Sequence, residues 1–340
     1  MTAPAPTRQL AVPGVVLVIL VLTAAAGLGR GDFPISLPEV LGTLVGAGEE
    51  TQRFIVLDLR APRIAVAVLV GFALGVSGAL TQTFARNPLA SPDVLGVTQG
   101  AAIGAVAVLA LGGTTTTAGG LIGGLGLPAA ALLGGLVTAA LVVGLAWRRG
   151  VDGYRLVLVG IGMSALAQAV VSYLLTRSDI RDAAAANVWL TGSLNGRGWD
   201  EARPLALALL VLVPLALAMT RVLGVLQFGD ETARSLGVRV PLAQGAVVLV
   251  AVALAAVAVP AAGPVQFVAL VVPQVAVRLT GGSRPPLVAA GLLGALLLVA
   301  GDLVARTLLP QTFPVGVVTA VVGAPYLIWL LVRGRRRSTR

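Results

Sequence analysis

The chain alternates between long apolar runs and short polar connections from one end to the other. A helix needs about 20 apolar residues to cross a hydrocarbon core of roughly 30 Å. The runs have about this length and carry few charges, so each is predicted to be one membrane-spanning helix. The ten predicted spans are residues 11–28, 63–84, 94–111, 121–147, 156–176, 204–221, 241–260, 264–279, 286–304 and 314–332.

Two uncharged stretches are too long for a single span. The stretch Val94–Trp147 contains the glycine- and threonine-rich segment Gly112–Gly120, which predicts a break between the third and fourth spans. The stretch between Arg239 and Arg278 contains Pro260-Ala-Ala-Gly-Pro264, which predicts a break between the seventh and eighth spans. Both divisions produce pairs of helices joined by short connections.

The composition supports a membrane protein. Hydrophobic residues make up 57% of the 340 positions, charged residues 11%, and the mean hydropathy is +0.97. A chain with this composition is too apolar to be a soluble domain of this size. Because no polar region is long enough to fold separately, the predicted fold class is an all-α polytopic membrane protein with one domain covering residues 1–340.

The arginines are distributed unevenly between the connections, and arginine-rich connections stay cytoplasmic. With both termini inside, most of the 24 arginines fall on the cytoplasmic side, and the segment Arg333–Arg337 is the strongest anchor. The net charge of +10 therefore reflects topology rather than nucleic-acid binding. A cleaved signal peptide ending near Ala24–Gly27 is the alternative for the first run. It would leave nine spans and place the charged C-terminus outside, so an uncleaved helix is favoured.

Three chemically important residue types are missing, since the chain has no lysine, histidine or cysteine. Without lysine, a Walker-type phosphate loop for ATP is excluded. Without histidine and cysteine, the usual zinc sites, haem ligands and histidine-based nucleophile pairs are excluded. The sequence therefore predicts no catalytic residue, no metal site and no cofactor, and it places the energy source for any transport outside the chain.

Ionisable residues are rare inside the predicted spans. Carriers coupled to protons or ions keep such residues in the membrane despite their cost. Asp302 and Arg306 are the nearest exceptions; they lie one helical turn apart near the outer end of the ninth span, where they predict a local ion pair. A secondary carrier is therefore the rival interpretation, and coupling to an outside energy source is favoured.

Glycines recur at a spacing of four within the apolar runs. This spacing occurs at Gly71–Gly75, Gly100–Gly104 and Gly120–Gly124. Small residues one turn apart let two helices approach closely in lipid. The pairs predict a tightly packed bundle and carry no further functional information.

The segment 224–239 differs from the other cytoplasmic connections because it is long and amphipathic. Asp230 and Glu231 would favour the N-terminus of a short helix, and Gly237 stands where a C-terminal cap is expected. We interpret this helix as a docking element for a cytoplasmic protein. The alternative is a surface helix that has no partner.

Several motifs occur in an order that resembles the FecCD family of permeases over about residues 10–332. Members of that family are ten-helix subunits of type II ABC importers for ferric siderophores, haem and vitamin B12. Two positions depart from the family pattern: Gln274 follows Pro273 where histidine is usual, and Phe313 precedes Pro314 where an acid is frequent. The matching motifs are Arg60-Ala-Pro-Arg63, Gly75-Val-Ser-Gly78 with Gln82, Arg86–Asp93 with Leu95-Gly96, Trp189–Gly196, Asp230–Gly237, Gly263–Leu270, and Pro314-Val-Gly316 with Thr319 and Gly323-Ala-Pro325.

The resemblance implies an assembly around this chain. Its members would be a second permease subunit, two copies of a cytoplasmic ATPase, and a periplasmic or lipid-anchored substrate-binding protein. The segments Arg86–Asp93, Val159–Gly162 and Gly192–Gly196 resemble most a permease with an unlike partner, so a heterodimer is favoured over a homodimer. The implied substrate is a ferric siderophore that crosses the cytoplasmic membrane at the permease interface. Haem and cobalamin stay open as alternatives.

The resemblance also assigns roles to individual residues of this sequence. It implies that outer arginines pair with acids on the binding protein, that the amphipathic segment couples to the ATPase, and that a short loop forms the inner constriction. The implied docking residues are Arg60, Arg63 and Arg306; the implied coupling residues are Asp230, Glu231, Ala233, Arg234, Leu236 and Gly237; and the implied constriction residues are Asn87, Pro88 and Leu89.

Overall fold

The computed structural model describes residues 6–111, 117–147, 153–282, 284–307 and 313–338 of the chain. Residues 112–116 of the predicted break, and Arg148 and Arg149, lie outside this part. The described chain is built almost entirely of helices. The α-helices are α1 (Pro6–Gly29), α2 (Leu37–Leu44), α3 (Glu50–Arg53), α4 (Ala61–Ala85), α5 (Val97–Leu111), α6 (Thr117–Ala146), α7 (Gly153–Arg177), α8 (Ile180–Leu190), α9 (Trp199–Ala218), α10 (Thr220–Leu226), α11 (Asp230–Ser235), α12 (Val240–Ala262), α13 (Val268–Thr280), α14 (Leu287–Thr307) and α15 (Val315–Ser338).

Among the described residues, seven helices are long and apolar enough to cross a membrane, and three shorter apolar helices accompany them. The shorter ones are Val97–Leu111, Val268–Thr280 and Val315–Trp329. Each of the ten apolar runs coincides with one of these helices. The all-helical membrane fold is thereby confirmed, whereas the number and direction of the crossings stay predictions.

Helix α4 lies at the centre of the bundle and packs against α14, α12, α13 and α9. Its glycines allow the closest of these approaches. A Cβ atom on Gly71 would collide with the backbone of Gly294, and one on Gly75 would collide with the carbonyl of Ala290. The predicted role of this glycine pair in helix packing is confirmed.

Helices α5 and α6 form a second close pair through the same device. A Cβ atom on Gly100 would overlap the backbone of Gly134, and one on Gly104 would overlap that of Ala130. The pair Gly120–Gly124 lies in a part of α6 whose side-chain surroundings are outside the described residues. Helix α6 also bends at Gly126, whose φ of 70° is non-helical, just before Pro128.

Several helix ends differ from the sequence-based boundaries for local reasons. Helix α4 continues backwards through a π-helical turn, Phe54–Arg60, into α3, so the apolar run begins within a longer helix. Helix α9 starts at Trp199 rather than near 204, because the Glu201 carboxylate accepts a hydrogen bond from the Gly198 backbone (2.8 Å) and caps the first turn. It ends at Ala218, so the predicted end of this run at Arg221 belongs to α10.

The proline-rich break is also shifted. Helix α12 runs through Pro260 to Ala262 and ends at Gly263, whose φ is 73°. Proline near the last turn removes one backbone hydrogen bond without stopping the helix at once. Helix α13 starts only at Val268, after Phe267 in a left-handed conformation (φ 67°). The connection between the two helices is therefore the non-helical segment 263–267, which begins three residues after Pro260.

Candidate functional site

The predicted inner constriction is a tight loop directly after the central helix α4. Arg86 ends α4 in the left-handed region (φ 50°, ψ 31°), which is uncommon for a residue other than glycine. The Asn87 side-chain oxygen accepts a hydrogen bond from the Leu89 backbone (2.9 Å), so the turn through Pro88 is closed on itself. The structure therefore brings Asn87, Pro88 and Leu89 together in one compact turn at the end of α4.

Asp93 fixes the far end of this loop. Its carboxylate accepts a hydrogen bond from the Thr98 hydroxyl at the start of α5. Burial raises the pKa of Asp93, and hydrogen bonds from Thr98 and Ser91 oppose that rise. The loop is thus tied to helices at both ends, which makes it a defined element rather than a loose connection.

The predicted coupling segment folds as two short helices, α10 and α11. Gly237 has a φ of 80°. Its backbone N–H donates a hydrogen bond to the Arg234 carbonyl (2.9 Å), and the Val238 N–H donates one to the Ala233 carbonyl (3.0 Å). This pair of bonds is a Schellman motif. The predicted short helix with a glycine cap is therefore observed, with α11 itself limited to Asp230–Ser235.

The side chains of this segment divide between the protein and its surroundings. Ala233 is fully buried against Leu226 and Val240 of its own chain, so it faces inward rather than towards a partner. Leu236 is 64% exposed and Phe228, just before α11, is 75% exposed. Phe228 was missed by the sequence interpretation, although a lone aromatic residue in a polar connection is the signal that could have found it.

Arg86 joins the constriction loop to the coupling helix. Its Nη2 donates to the Leu226 carbonyl at the end of α10 (2.6 Å) and to the Asp230 carboxylate at the start of α11 (2.7 Å). The second oxygen of Asp230 accepts from the side chain of Gln244 in α12 (3.3 Å). One guanidinium therefore connects the last residue of α4 with the exposed helix, 144 residues further along the chain.

A cavity of about 360 Å³ lies beside this connection, lined by Gln82, Arg86, Asn87, Gln227, Gln274 and Arg284 among others. We call this cavity the vestibule. The side-chain amide of Gln274 donates to the oxygen of Gln82 (2.6 Å), and the Gln82 amide donates to the Leu270 carbonyl (2.8 Å). Gln274 is thus part of a hydrogen-bonded chain of side-chain amides on the vestibule wall. It occupies the position where the family that the motifs resemble usually has histidine.

The three predicted docking arginines lie together at the other end of the bundle, where two of them pair with Asp302. Arg63 Nε lies 3.0 Å from both oxygens of Asp302, and its Nη2 lies 2.6 Å from one of them. Arg306 Nε lies 3.4 Å from Asp302, as expected for residues one turn apart. Arg306 also donates to the carbonyls of Gly27 (2.6 Å) and Arg30 (3.1 Å) at the end of α1.

Arg60 completes the cluster by donating to the carbonyls of Leu28 (2.7 Å) and Phe33 (2.6 Å). It is only 8% exposed, and the side chains of Arg63 and Arg306 are 19% and 10% exposed. The three arginine side chains are therefore largely buried in the isolated chain. Their hydrogen bonds hold the C-terminal end of α1 and the following loop against α4 and α14.

Together, the bundle of apolar helices, the polar vestibule and the exposed helix tied to its rim define a multi-pass membrane transport permease. The chain belongs to the FecCD transport family, which matches residues 17–333. The resemblance noted in the sequence motifs is thereby confirmed.

Individual relatives match the chain over almost its full length. FepG, the ferric enterobactin transport system permease protein of Escherichia coli K12, is 40% identical over 334 residues, which cover 98% of this chain and 99% of the relative. CbrC, the achromobactin transport system permease protein of Dickeya dadantii, is 40% identical over 94% of this chain and 90% of the relative. A solved metal-chelate type ABC transporter in an inward-facing conformation has a TM-score of 0.82 at 29% identity, covering 95% of this chain and 99% of that one.

Proposed function

We propose that this chain is the permease subunit of an ATP-driven importer that passes a ferric siderophore across the cytoplasmic membrane. The observation that carries the proposal is the exposed helix α11, which Arg86 fixes to the end of the central helix (2.7 Å to Asp230). Such a helix offers a partner a direct mechanical connection to the vestibule. The similarity to FepG, a ferric enterobactin transport system permease, and to CbrC, an achromobactin transport system permease, supports the substrate class.

The proposed assembly has a second permease subunit, two copies of a cytoplasmic ATPase and a substrate-binding protein on the opposite side. An unlike permease partner is favoured, and the pathway lies at the interface between the two permeases. Both termini are placed in the cytoplasm, because the arginine-rich connections then face inward. The absence of lysine from the chain supports an ATPase on a separate subunit.

The coupling role is proposed for α11 and its flanks. Phe228 and Leu236 are the apolar side chains that would enter a cleft on the ATPase, while Glu231 and Arg234 offer charges at its rim. Ala233 and Gly237 would act differently, by seating the helix on its own chain and by ending it sharply. Asn87, Pro88 and Leu89 are proposed as the inner gate that responds to this helix.

The docking role is proposed for the arginine cluster as a whole. Arg63 and Arg306 pair with one carboxylate while Arg60 donates to backbone carbonyls, so the hydrogen-bonded cluster keeps an excess of positive charge that can attract acids on a binding protein. Because the side chains are bonded within the chain, we assign the cluster two tasks: it shapes the outer loop and it supplies long-range attraction. Capture of the binding protein should therefore weaken as salt is added.

Affinity purification of the tagged chain from its native membrane tests this function. We expect a nucleotide-binding subunit to copurify, and ATP hydrolysis to be found in the complex but not in the chain alone. A secondary carrier is the alternative. It would be favoured if the purified chain, without any ATPase, accumulated a ferric chelate in response to an ion gradient.

A further inference from the structure

A second cavity, of about 410 Å³, lies at the same end of the bundle as the vestibule. Its walls come from the start of α1, the end of α4, the junction of α9 with α10, and the connection between α13 and α14. We call it the interfacial cavity. The lining residues that matter here are Gln9, Thr83, Leu217, Thr280, Arg284 and Val288.

The interfacial cavity lies at the level where the apolar helices begin and end. Thr83 and Leu217 lie near the C-terminal ends of α4 and α9, and Val288 lies in the first turn of α14. Leu217 and Val288 are each 42% exposed, and α1, which forms another wall, is mostly exposed along its apolar length. The proposed topology puts these helix ends on the cytoplasmic side. The cavity therefore opens at the depth of the lipid headgroups of that leaflet.

The polar part of the interfacial cavity contains a cation held in place. The Arg284 Nη1 atom donates a hydrogen bond to the Thr220 carbonyl (3.1 Å) and lies so close to Gly224 that a Cβ atom there would be 2.9 Å away. A guanidinium has five N–H donors, and the bond to Thr220 uses one of them. No acid occurs among the described residues that line the cavity. Arg284 can therefore donate charge-assisted hydrogen bonds to a phosphate.

Two buried threonines supply hydrogen-bond acceptors to the same cavity. The Thr83 hydroxyl donates to the Ala79 carbonyl, and the Thr280 hydroxyl donates to the Ala276 carbonyl (2.7 Å each). Each hydroxyl thereby uses its only hydrogen within its own helix, but its oxygen can still accept a hydrogen bond from a ligand. The lining thus combines a donor for a phosphate with acceptors for hydroxyl groups.

The surroundings of the interfacial cavity are also positive. Arg8 and Arg221 are exposed, and each is the sequence neighbour of a lining residue, Gln9 and Thr220 respectively. Arginines next to a membrane surface attract anionic lipids of the cytoplasmic leaflet. The charge around the cavity therefore favours an anionic lipid over a zwitterionic one.

We propose that the interfacial cavity binds an anionic phospholipid with a hydroxylated headgroup. The phosphodiester accepts hydrogen bonds from Arg284, and the headgroup hydroxyls donate to Thr83 and Thr280. The exposed apolar side chains of Leu217 and Val288 contact an acyl chain, which a soluble phosphate lacks. The proposal goes beyond the importer function and rests only on the proposed topology.

Native mass spectrometry of the purified full-length chain in detergent tests the site, because it resolves each bound lipid. The probes are phosphatidylglycerol, which is anionic and hydroxylated, phosphatidylmethanol, which is anionic without hydroxyls, and phosphatidylcholine, which has no net charge. The wild type should bind phosphatidylglycerol about tenfold more tightly than phosphatidylcholine and several-fold more tightly than phosphatidylmethanol. Arg284→Gln should weaken phosphatidylglycerol binding by about tenfold and leave phosphatidylcholine unchanged, which also shows that the variant is folded.

Three further variants separate charge, hydroxyl groups and general attraction. Arg284→Lys keeps the charge and should retain most of the affinity for phosphatidylglycerol. Thr280→Val removes one hydroxyl at similar volume and should reduce the preference for phosphatidylglycerol over phosphatidylmethanol. Arg239→Gln removes an exposed arginine that does not line the cavity, so it should change binding by less than about twofold.

Equal binding of phosphatidylglycerol and phosphatidylcholine by the wild type, or undiminished phosphatidylglycerol binding by Arg284→Gln, would overturn the site. Displacement of the lipid by an equal concentration of glycerophosphoglycerol would also overturn it, because the soluble headgroup alone would then be the ligand. An unchanged headgroup preference in Thr280→Val would contradict the role of the threonines. These measurements involve neither ATP nor uptake, so the importer function is tested separately.

Discussion

Asp302 is the central residue of the arginine cluster. Its side chain is 3% exposed, and it is the acid that pairs with both Arg63 and Arg306. The two arginines in turn hold α4 and the end of α1. Removing one partner of a buried ion pair leaves charge without compensation, which is costly.

Asp302→Asn should therefore lower the free energy of unfolding by about 3 kcal/mol, since two largely buried guanidinium groups lose their counter-charge. Denaturant titration of the purified protein measures this loss. Asp230→Asn is the matched control, because the Arg86–Asp230 pair is about 40% exposed on each side and should cost less than about 1 kcal/mol. Equal losses in the two variants would contradict the assigned role of Asp302.

The same variant separates the two tasks of the arginine cluster. Asp302→Asn raises the positive charge of the rim, so the folded fraction should capture the binding protein at least as tightly as wild type. If capture by the folded fraction falls sharply, the arginines act on docking only through the shape of the outer loop.

A substitution at Gly71 tests the close packing of α4 against α14. Gly71→Ala would place a Cβ atom against the backbone of Gly294 and should destabilise the protein by about 1–3 kcal/mol. Gly14→Ala in α1 is the control, since a Cβ atom there meets nothing within 4 Å. A thermal unfolding series should show a lower melting temperature for the first variant alone. Identical melting temperatures would show that α4 and α14 can separate freely.

At the scale of elements, local patterns in the sequence predicted the helices well. The glycine spacing predicted close packing because it marks a helix face that a partner helix can approach, and Gly237 predicted the end of α11 because a C-terminal cap depends on neighbouring residues. The sequence could not predict that Ala233 faces its own chain or that Arg60 is buried. Those facts depend on how segments fold back on one another: Ala233 packs against Leu226 and Val240, and Arg60 donates to the carbonyls of Leu28 and Phe33, 32 and 27 residues away.

The coupling helix should be sensitive at its exposed apolar positions. Phe228→Ser and Leu236→Asp should each reduce uptake strongly while the protein still folds, because these side chains are exposed in the isolated chain. A proteoliposome assay that follows ATP hydrolysis and uptake together measures the effect. Ala233→Trp is the contrasting variant, which should destabilise the segment itself. Normal coupling in both exposed variants would assign the helix a merely connecting role.

The Arg86 connection carries its own prediction. Arg86→Gln should change stability by less than about 1 kcal/mol, because the ion pair is half-exposed, yet it should uncouple ATP hydrolysis from uptake. Arg86→Lys keeps the charge on a shorter side chain, whose ammonium group should not reach both acceptors of the Arg86 Nη2 atom, so partial coupling is expected. Wild-type coupling in the glutamine variant would remove Arg86 from the mechanism.

At the scale of the whole molecule, the chain presents two functional ends on one packed core. Apolar helices surround the central α4, the arginine cluster closes one end, and the vestibule with α11 lies at the other. The sequence predicted a polytopic membrane protein from hydropathy, and the resemblance of its motifs to a known family predicted a transport permease. It could not predict the vestibule, whose lining residues come from separate segments and meet only in the folded bundle.

Reconstituted uptake is the most direct test of this account. The chain would be placed in proteoliposomes with its permease partner and ATPase, with the binding protein and a ferric chelate added on the outer side. We predict iron accumulation that requires ATP and every subunit, and no ATP hydrolysis by the chain alone. Accumulation without the ATPase, or hydrolysis by the isolated chain, would contradict the account.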